Sequence, residues 1–282
     1  MGDRLTVARW ELAKRLRRLR GDRGFNAVAK AVRVAPSSLA RWETPGENGS
    51  VPGLVALERL LQHYEVDEET FNKLIKLRSH AKKPNWWQEY ELQQYHGTFI
   101  SLEEAATSIS SYQSTLIPGL FQTEEYMRSV IKATRIGEPQ KVVDALTEVR
   151  LERQQKWWKS EGTFWGILGE TALTQLVGGP QVMRKQLEYL HEVSQHPRVT
   201  MQVLPFNVGA HAALDVASFV ILSLGADDLS TVYQEGASVS IFLDEPADLE
   251  RYDLIFNRLR AAALDTSPTR ELFLNRVHDL ES

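Results

Sequence analysis

Three polar side chains stand close together in one short stretch of the chain: Ser37, Ser38 and Arg41. Hydroxyl and guanidinium groups donate hydrogen bonds to base edges and to phosphate oxygens of nucleic acids. Leu39 and Trp42 are three residues apart and predict the buried side of a short helix, which leaves the polar side chains outside. Such a helix suits the major groove of DNA. An ordinary helical hairpin with a solvated polar face is the alternative for these residues alone.

The surrounding stretch, from Phe25 to Glu43, predicts two short helices joined by a tight turn. Apolar side chains at helical spacing mark the buried face of the first helix: Val28, Ala29 and Val32. The segment from Arg33 to Ala35 forms the turn. Pro36 begins the second helix, because proline at the first helical position loses no intrahelical hydrogen bond.

Basic charge gathers around this stretch. Residues 1–83 hold 17 basic against 10 acidic residues, whereas residues 84–282 hold 16 against 27. Within residues 1–45 the counts are 11 basic and 4 acidic. The formal net charge of −4 is therefore the sum of a basic N-terminal part and an acidic C-terminal part. This distribution favours a nucleic-acid-binding domain joined to a second domain. A basic helix that is merely solvated is the alternative.

The composition excludes several kinds of site. The chain has no cysteine, so neither a disulfide nor a thiolate zinc site is possible. Its 7 histidines lack a metal-binding spacing, and we expect no metal and no cofactor. No apolar run reaches the ~18 residues of a membrane span, and the first ten residues lack the apolar run of a signal peptide. We therefore expect a cytoplasmic protein without a membrane segment.

The first eighty residues resemble the Xre/Cro-type helix-turn-helix family. The resemblance rests on three segments: residues 16–20, residues 34–43, and the leucines and tyrosine Leu54, Leu57, Leu60, Leu61 and Tyr64. The chain departs from the family at Ala35, where a capping serine is common, and at Arg33, where glycine is usual. It also has Gly24-Phe25-Asn26 in place of a Thr/Ser-Gln pair. The resemblance implies that Glu43 pairs with an arginine of the first helix.

The resemblance and the polar face together predict a binding site for double-stranded DNA. Its seven predicted residues are Ser37, Ser38, Arg41, Arg33, Lys30, Asn26 and Arg18. A single short recognition helix covers too few base pairs for specific affinity, so we expect a homodimer that reaches two half-sites.

The patterns predict an all-α helix-turn-helix domain over residues 1–83, an aromatic linker over residues 84–100 and an α+β domain over residues 101–282. The second domain should contain a small mixed or antiparallel sheet. Its strands are predicted at residues 164–168, 199–204, 217–224, 231–234 and 239–243. Ser101 and Glu104 have capping-box spacing and predict a helix that carries Ile109 and Tyr112. Pro118-Gly119 predicts a type II turn, and Thr123 predicts a helix cap.

This second half resembles the C-terminal domain of WhiJ-like actinobacterial regulators. The matching residues include Tyr112, Ile117 to Leu120, Gln122-Thr123, Tyr126, Arg150, Arg153-Gln154, Glu170, Val177 to Gly179, Gln186-Leu187, Val203 to Pro205, His211, Phe219 and Glu235. The resemblance spans nearly the whole chain. It implies a transcriptional regulator that works with a small acidic partner protein.

The sequence contains few patterns that are typical of a catalytic site. Neither a nucleotide-binding glycine loop nor a Gly-x-Ser-x-Gly turn is present. Glu170, His211 and Glu235 each end or follow a predicted strand and could converge at one mouth. Such a cluster more often binds a ligand or satisfies buried hydrogen bonds than performs acid–base catalysis. We therefore predict that the chain is not an enzyme.

Binding of a partner protein or a small-molecule effector is the favoured role of the second domain. The predicted contact residues are Trp86, Trp87, Gln122, Arg150, Arg153, Glu170, His211 and Glu235. A linker staple is the alternative for the two tryptophans. The whole chain is thus predicted to be a DNA-binding transcriptional regulator. The alternative is an antitoxin-like interaction module whose head binds DNA weakly or not at all.

Overall fold

The computed structural model describes residues 7–44, 49–81, 94–225, 229–236 and 240–281. The chain divides into two compact units, Met1–Leu102 and Glu103–Ser282, which are taken one at a time below. Trp86 and Trp87 of the predicted linker lie outside the described residues. The predicted domain limits at residues 83 and 101 stay predictions.

The described part of the first unit is helical. Its helices are α1 (Val7–Arg20), α2 (Phe25–Val32), α3 (Pro36–Trp42), α4 (Leu54–His63), α5 (Glu68–His80) and the start of α6 (Gln94–Ala105). The side chains of α1 to α5 share one apolar core, formed by Leu12, Leu16, Val28, Ala29, Val32, Leu39, Trp42, Leu57, Leu60, Leu61, Tyr64 and Leu74. These are the apolar positions at helical spacing, so the all-α prediction is confirmed.

The second unit mixes strands and helices. After α6 come β1 (Ser108–Gln113), a 3₁₀ turn (Gly119–Phe121), α7 (Glu124–Thr134), α8 (Gln140–Lys159), β2 (Thr163–Gly169), α9 (Thr171–Thr174), α10 (Pro180–Val193) and β3 (Val199–Leu204). A second 3₁₀ turn (Phe206–Val208), β4 (Phe219–Ser223), β5 (Ser230–Glu235), β6 (Ser240–Leu243), α11 (Pro246–Ala262) and α12 (Thr266–Asp279) follow. The predicted α+β class is confirmed.

The strands form one six-stranded mixed sheet in the order β3-β2-β1-β4-β5-β6. Strand β2 pairs in parallel with both β1 and β3, while β4, β5 and β6 continue the sheet in antiparallel pairs. Strands β1, β2, β3 and β5 therefore end at the same edge of the sheet. The loops at this edge carry Gln122, Glu170 and His211.

Helices cover both faces of the sheet. On one face Trp157 of α8 packs edge-on against Phe121 and Phe164. On the other face Phe256 and Leu259 of α11 join a buried cluster with Tyr112, Ile167, Phe219, Ile221 and Val232. Neighbouring residues of β2 point to opposite faces, because side chains alternate along a strand. The sheet therefore lies between two apolar layers and packs against both of them.

One strand was predicted wrongly as helix. The helix expected to open at Ser101 and to carry Ile109 and Tyr112 ends at Ala105, and Ser108–Gln113 forms β1 in the middle of the sheet. Ser101 lies inside α6, where its hydroxyl donates to the carbonyl oxygen of Gly97 at 3.0 Å, and so it caps nothing. Pairing of β1 with β2 and β4 decides its conformation, and those partners are distant in sequence.

The type II turn predicted at Pro118-Gly119 is also wrong. Gly119 does not have a positive φ; it opens a 3₁₀ turn in which the N–H of Phe121 donates to the carbonyl of Pro118 at 2.9 Å. A Cβ atom at this position would lie 2.5 Å from Nη2 of Arg153, so a larger residue would displace that flexible side chain. The predicted cap at Thr123 is confirmed, since its side chain accepts the N–H of Tyr126.

The outer edge of β3 is covered by the connection between α11 and α12. The N–H of Leu264 donates to the carbonyl of Val203 at 2.8 Å, and the N–H of Val203 donates to the hydroxyl of Thr269 at 3.1 Å. Thr269 is fully buried. A buried side chain thus satisfies a backbone group that would otherwise be open at the sheet edge.

We expect the Thr269→Val substitution to lower the free energy of unfolding by about 1–3 kcal/mol, because it leaves the buried N–H of Val203 without an acceptor at almost unchanged volume. Urea unfolding followed by circular dichroism measures this change. Thr174→Val is the control, since that hydroxyl is exposed. Equal effects of the two substitutions would contradict the role given to Thr269.

Candidate functional site

The turn between α2 and α3 is closed by backbone hydrogen bonds. Arg33 caps α2 in the left-handed conformation, with φ 59° and ψ 51°. The N–H of Val34 then donates to the carbonyl of Ala29 at 2.9 Å. A side chain in this conformation costs about 1 kcal/mol relative to glycine. The turn therefore forms as predicted, but with an arginine at a position where glycine would be less strained.

Helix α3 buries one face and exposes the other. Leu39 is fully buried and Trp42 is nearly so, whereas Ser37 and Arg41 are exposed and Ser38 is half-buried. Ala35 precedes the helix without a side-chain cap, as its residue type predicts. The polar face predicted from the spacing is thus present in the structure.

A buried ion pair holds the end of α3 against α1. Nε of Arg20 lies 2.8 Å from Oε2 and 3.1 Å from Oε1 of Glu43. The Arg20 side chain is 14% exposed and the Glu43 side chain only 3% exposed. Burial raises the pKa of the Glu43 carboxyl, and the hydrogen bond from Arg20 opposes that rise. Glu43 therefore pairs with an arginine of the first helix, as the family resemblance implied.

Arg20 makes further contacts that fix the start of α2. Its Nη1 donates to the carbonyl oxygens of Gly21 at 3.0 Å and Arg23 at 2.9 Å. Its guanidinium also lies over the ring of Phe25, 4.0 Å from the centroid. The position of Arg20 at the end of α1 was the only sequence signal for this role, and its partners could not be read from it.

The remaining predicted DNA contacts lie on the surface of the same unit. Asn26 and Lys30 are exposed on α2, Arg33 is exposed in the turn, and Arg18 is exposed on α1. Together with the α3 residues they belong to the exposed surface of this unit, and the charged members of the set are all basic. This surface can donate hydrogen bonds to phosphate oxygens and base edges.

In the second unit the loop before α7 is fixed by buried amide side chains. Nε2 of Gln122 donates to the carbonyl of Ile117 at 2.7 Å. Nε2 of Gln154 donates to the carbonyls of Gly119 and Gln122 at 2.8 and 2.9 Å. Gln186 accepts the N–H of Thr123 at 2.7 Å. The loop therefore has one defined shape, and Gln186 was not predicted to contribute to it.

Two predicted arginines project from α8 toward this loop. Nη1 of Arg150 donates to Oε1 of Gln122 at 3.3 Å. Nε of Arg153 lies 2.6 Å from Oε2 of Glu103. Burial lowers the pKa of Arg150 to about 10, repulsion from Arg153 adds to this effect, and Glu235 opposes it. The structure thus brings Gln122, Arg150, Arg153 and Glu235 into one electrostatic neighbourhood.

Glu170 and His211 have separate partners. The Glu170 carboxylate accepts the N–H of Phe206 at 2.8 Å and pairs with Nη2 of Arg276 at 2.9 Å. The His211 ring packs edge-on against Tyr112, 6.4 Å between centroids. No contact between described side chains joins Glu170, His211 and Glu235, although all three follow strands that end at the same sheet edge. The common mouth expected for these residues is not formed by direct contacts.

Comparison with protein families gives two matches. Residues 96–275 match a family described as a domain of unknown function, DUF5753, and this match covers more than half of the chain. The chain belongs to the DUF5753 family. Before the DUF5753 domain in sequence, residues 11–74 match a helix-turn-helix domain. No curated protein and no solved structure matches the chain.

The helix-turn-helix match and the exposed polar face of α3 indicate a DNA-binding regulator that carries a DUF5753 domain. No helix in the described ranges is long and apolar enough to cross a membrane. Within the same ranges, no three histidine, aspartate or glutamate side chains are grouped as metal ligands. The cluster around Arg150 lies within the DUF5753 match.

We expect the Glu43→Ala substitution to destabilise the first unit by about 3 kcal/mol, because it leaves the Arg20 guanidinium buried without its carboxylate. Hydrogen exchange of α1 to α3, measured by mass spectrometry, reports this change locally. Glu69→Ala breaks an exposed pair with Lys73 and should cost less than about 0.5 kcal/mol. If the two substitutions accelerate exchange equally, the Arg20–Glu43 pair is not the anchor.

Proposed function

We propose that the chain is a sequence-specific transcriptional regulator that reads double-stranded DNA with α3. The observation that carries this proposal is the exposed face of α3, with Ser37, Ser38 and Arg41, on a helix whose opposite face is buried. Hydroxyl and guanidinium groups at the start of such a helix suit base edges in the major groove. Because its proposed ligand is DNA, we also propose that the protein works in the cytoplasm.

In this proposal, other polar and basic side chains of the first unit contact the DNA phosphates. Asn26 and Lys30 are exposed on α2, Arg18 is exposed on α1, and Arg33 is exposed in the turn itself. The left-handed conformation of Arg33 supports the assignment, because glycine would adopt it with less strain but without a charge. Arginine at this position would then supply a positive charge that contacts a DNA phosphate.

The second domain has a sensing role in this proposal, as in the WhiJ-like regulators that the chain resembles. It would receive a small acidic partner protein or a small-molecule effector and alter the affinity of the head for DNA. The loop at Gln122 and Arg150 of α8 support this role, since the loop has a fixed shape and the hydrogen bond of Arg150 goes to a neutral group, Oε1 of Gln122. The proposal assigns no catalytic step to the chain, because Glu170 and His211 are engaged in separate contacts.

We also propose that the regulator acts as a homodimer, since one short recognition helix reads too few base pairs for specific affinity. Light scattering of the chain with and without its DNA measures the assembly. A dimer on DNA is the expected result. A monomer under both conditions at micromolar concentration would contradict it.

An antitoxin-like interaction module with a weak DNA-binding head is the second candidate. Gly24 precedes α2 without a side-chain cap, and Asn26 stands near the position where the helix-turn-helix family commonly has glutamine. In this candidate, α2 would make fewer contacts with the DNA backbone than in the usual pattern. The two candidates differ in one observable, the affinity for DNA.

The Arg41→Ala substitution should weaken binding to the DNA upstream of the chain's own gene about tenfold or more, because one charge-assisted contact is lost. A mobility-shift titration at several salt concentrations measures this loss. Arg128→Ala is the matched control, since Arg128 pairs with Glu124 and Asp144 in the second unit. A shift of the wild type that both substitutions leave unchanged would contradict the assignment of α3.

Arg33→Gly separates affinity from stability in the same titration. We expect this substitution to raise the free energy of unfolding by about 0.5 kcal/mol and to weaken DNA binding, since it relieves backbone strain but removes a charge. No mobility shift of the wild-type chain at any salt concentration would favour the interaction module over the regulator.

A further inference from the structure

Arg150, behind the Gln122 loop, pairs with no carboxylate of the described residues. Its guanidinium is half-buried, and its one side-chain hydrogen bond within the described residues goes to a neutral group, Oε1 of Gln122 at 3.3 Å. None of its nitrogen atoms is sealed from solvent without a partner. The N–H groups that do not reach Gln122 are therefore in contact with solvent, and this partly buried place beside Gln122 is the Arg150 recess.

The charges around Arg150 do not balance. Three guanidinium groups act on this recess, those of Arg135, Arg150 and Arg153, against the carboxylates of Glu103 and Glu235. Glu103 is taken by Arg153 at 2.6 Å, and neither Arg135 nor Arg150 forms an ion pair with a carboxylate of the described residues. Repulsion from Arg153 and Arg135 adds to burial in lowering the pKa of Arg150. Among the described residues, the guanidinium groups around Arg150 therefore outnumber the carboxylates by one.

The walls of the recess are fixed before any ligand arrives. Gln154 holds the carbonyls of Gly119 and Gln122, and the missing Cβ of Gly119 gives the Arg153 guanidinium its place. On β5 the hydroxyl of Tyr233 donates to Oγ of Ser240 at 3.2 Å. The guanidinium donors are thus held by buried neighbours, as a binding site for a small planar or tetrahedral group requires.

We propose that the recess at Arg150 and Arg135 binds the carboxylate or phosphate group of a small anionic molecule. A guanidinium presents parallel N–H donors that match the oxygens of either group, and such charge-assisted hydrogen bonds are the strong ones. The anion supplies the negative charge that the cluster lacks. This inference rests on the proposed sensing role of the second domain and names the chemical class of its effector.

The test is calorimetric titration of the full chain with inorganic phosphate and, separately, with malonate, in Tris-chloride buffer. Binding of at least one anion to the wild type is the expected result. Arg150→Gln should weaken that binding about tenfold or more, because it removes the charge but keeps a hydrogen-bond donor near Gln122. Arg135→Gln should weaken it as well, and it keeps the test decisive if the first variant folds poorly.

Arg128→Gln is the control, because Arg128 already pairs with two carboxylates on the surface of the same unit. An equal loss in this variant would show general charge attraction and overturn the site. Without added anion, the melting temperature of Arg150→Gln should equal or exceed that of the wild type, since the substitution removes an unbalanced charge. A purely structural arginine would lower the melting temperature and leave anion affinity unchanged.

The outcomes separate the site from the proposed function. If neither anion binds while a glutamate-rich peptide does, the small-molecule site is wrong and the recess belongs to an acidic protein. If an anion binds at Arg150 but leaves the DNA mobility shift unchanged, the site stands and the sensing role is wrong. If neither anion nor peptide binds, the site is wrong whatever the result with DNA.

Discussion

The ion pair between Arg20 and Glu43 is the constraint on which the proposed DNA-binding surface depends. It joins the end of α1 to the end of α3 with only 3% of the Glu43 side chain exposed, and Arg20 also donates to the carbonyls that lead into α2. With Leu39 and Trp42 buried beneath it, α3 has one orientation only. Ser37 and Arg41 then face outward because the opposite side of the helix is occupied.

The helical head could be predicted almost completely, because its information is local. The apolar spacing at Val28 and Val32 and the proline at the start of α3 each act within one or two helical turns. The choice of Arg20 as the partner of Glu43 could not be predicted from local spacing. That choice depends on how two helices cross, which the residues between them do not specify.

In the second unit, local sequence patterns do not predict every element correctly. Ser108–Gln113 is a central strand because β2 and β4 lie on either side of it, and those partners are more than fifty residues distant in sequence. The environment of Gly119 is also set by a residue distant in sequence, because the side chain next to it is Arg153 of α8. The sequence also indicated Gln122, Arg150, Arg153 and Glu235 as candidate binding residues, which stays a prediction. Their grouping with Arg135 and Glu103 required the fold.

The absence of cysteine from the chain permits a direct test of the claim that α3 contacts DNA. A Ser37→Cys variant carries a single thiol to which a photoreactive group can be attached, and Ser79→Cys places the same group on the exposed side of α5. Irradiation with the upstream DNA should crosslink the first variant and leave the second almost unmodified. Crosslinking from Ser79→Cys with none from Ser37→Cys would contradict the account.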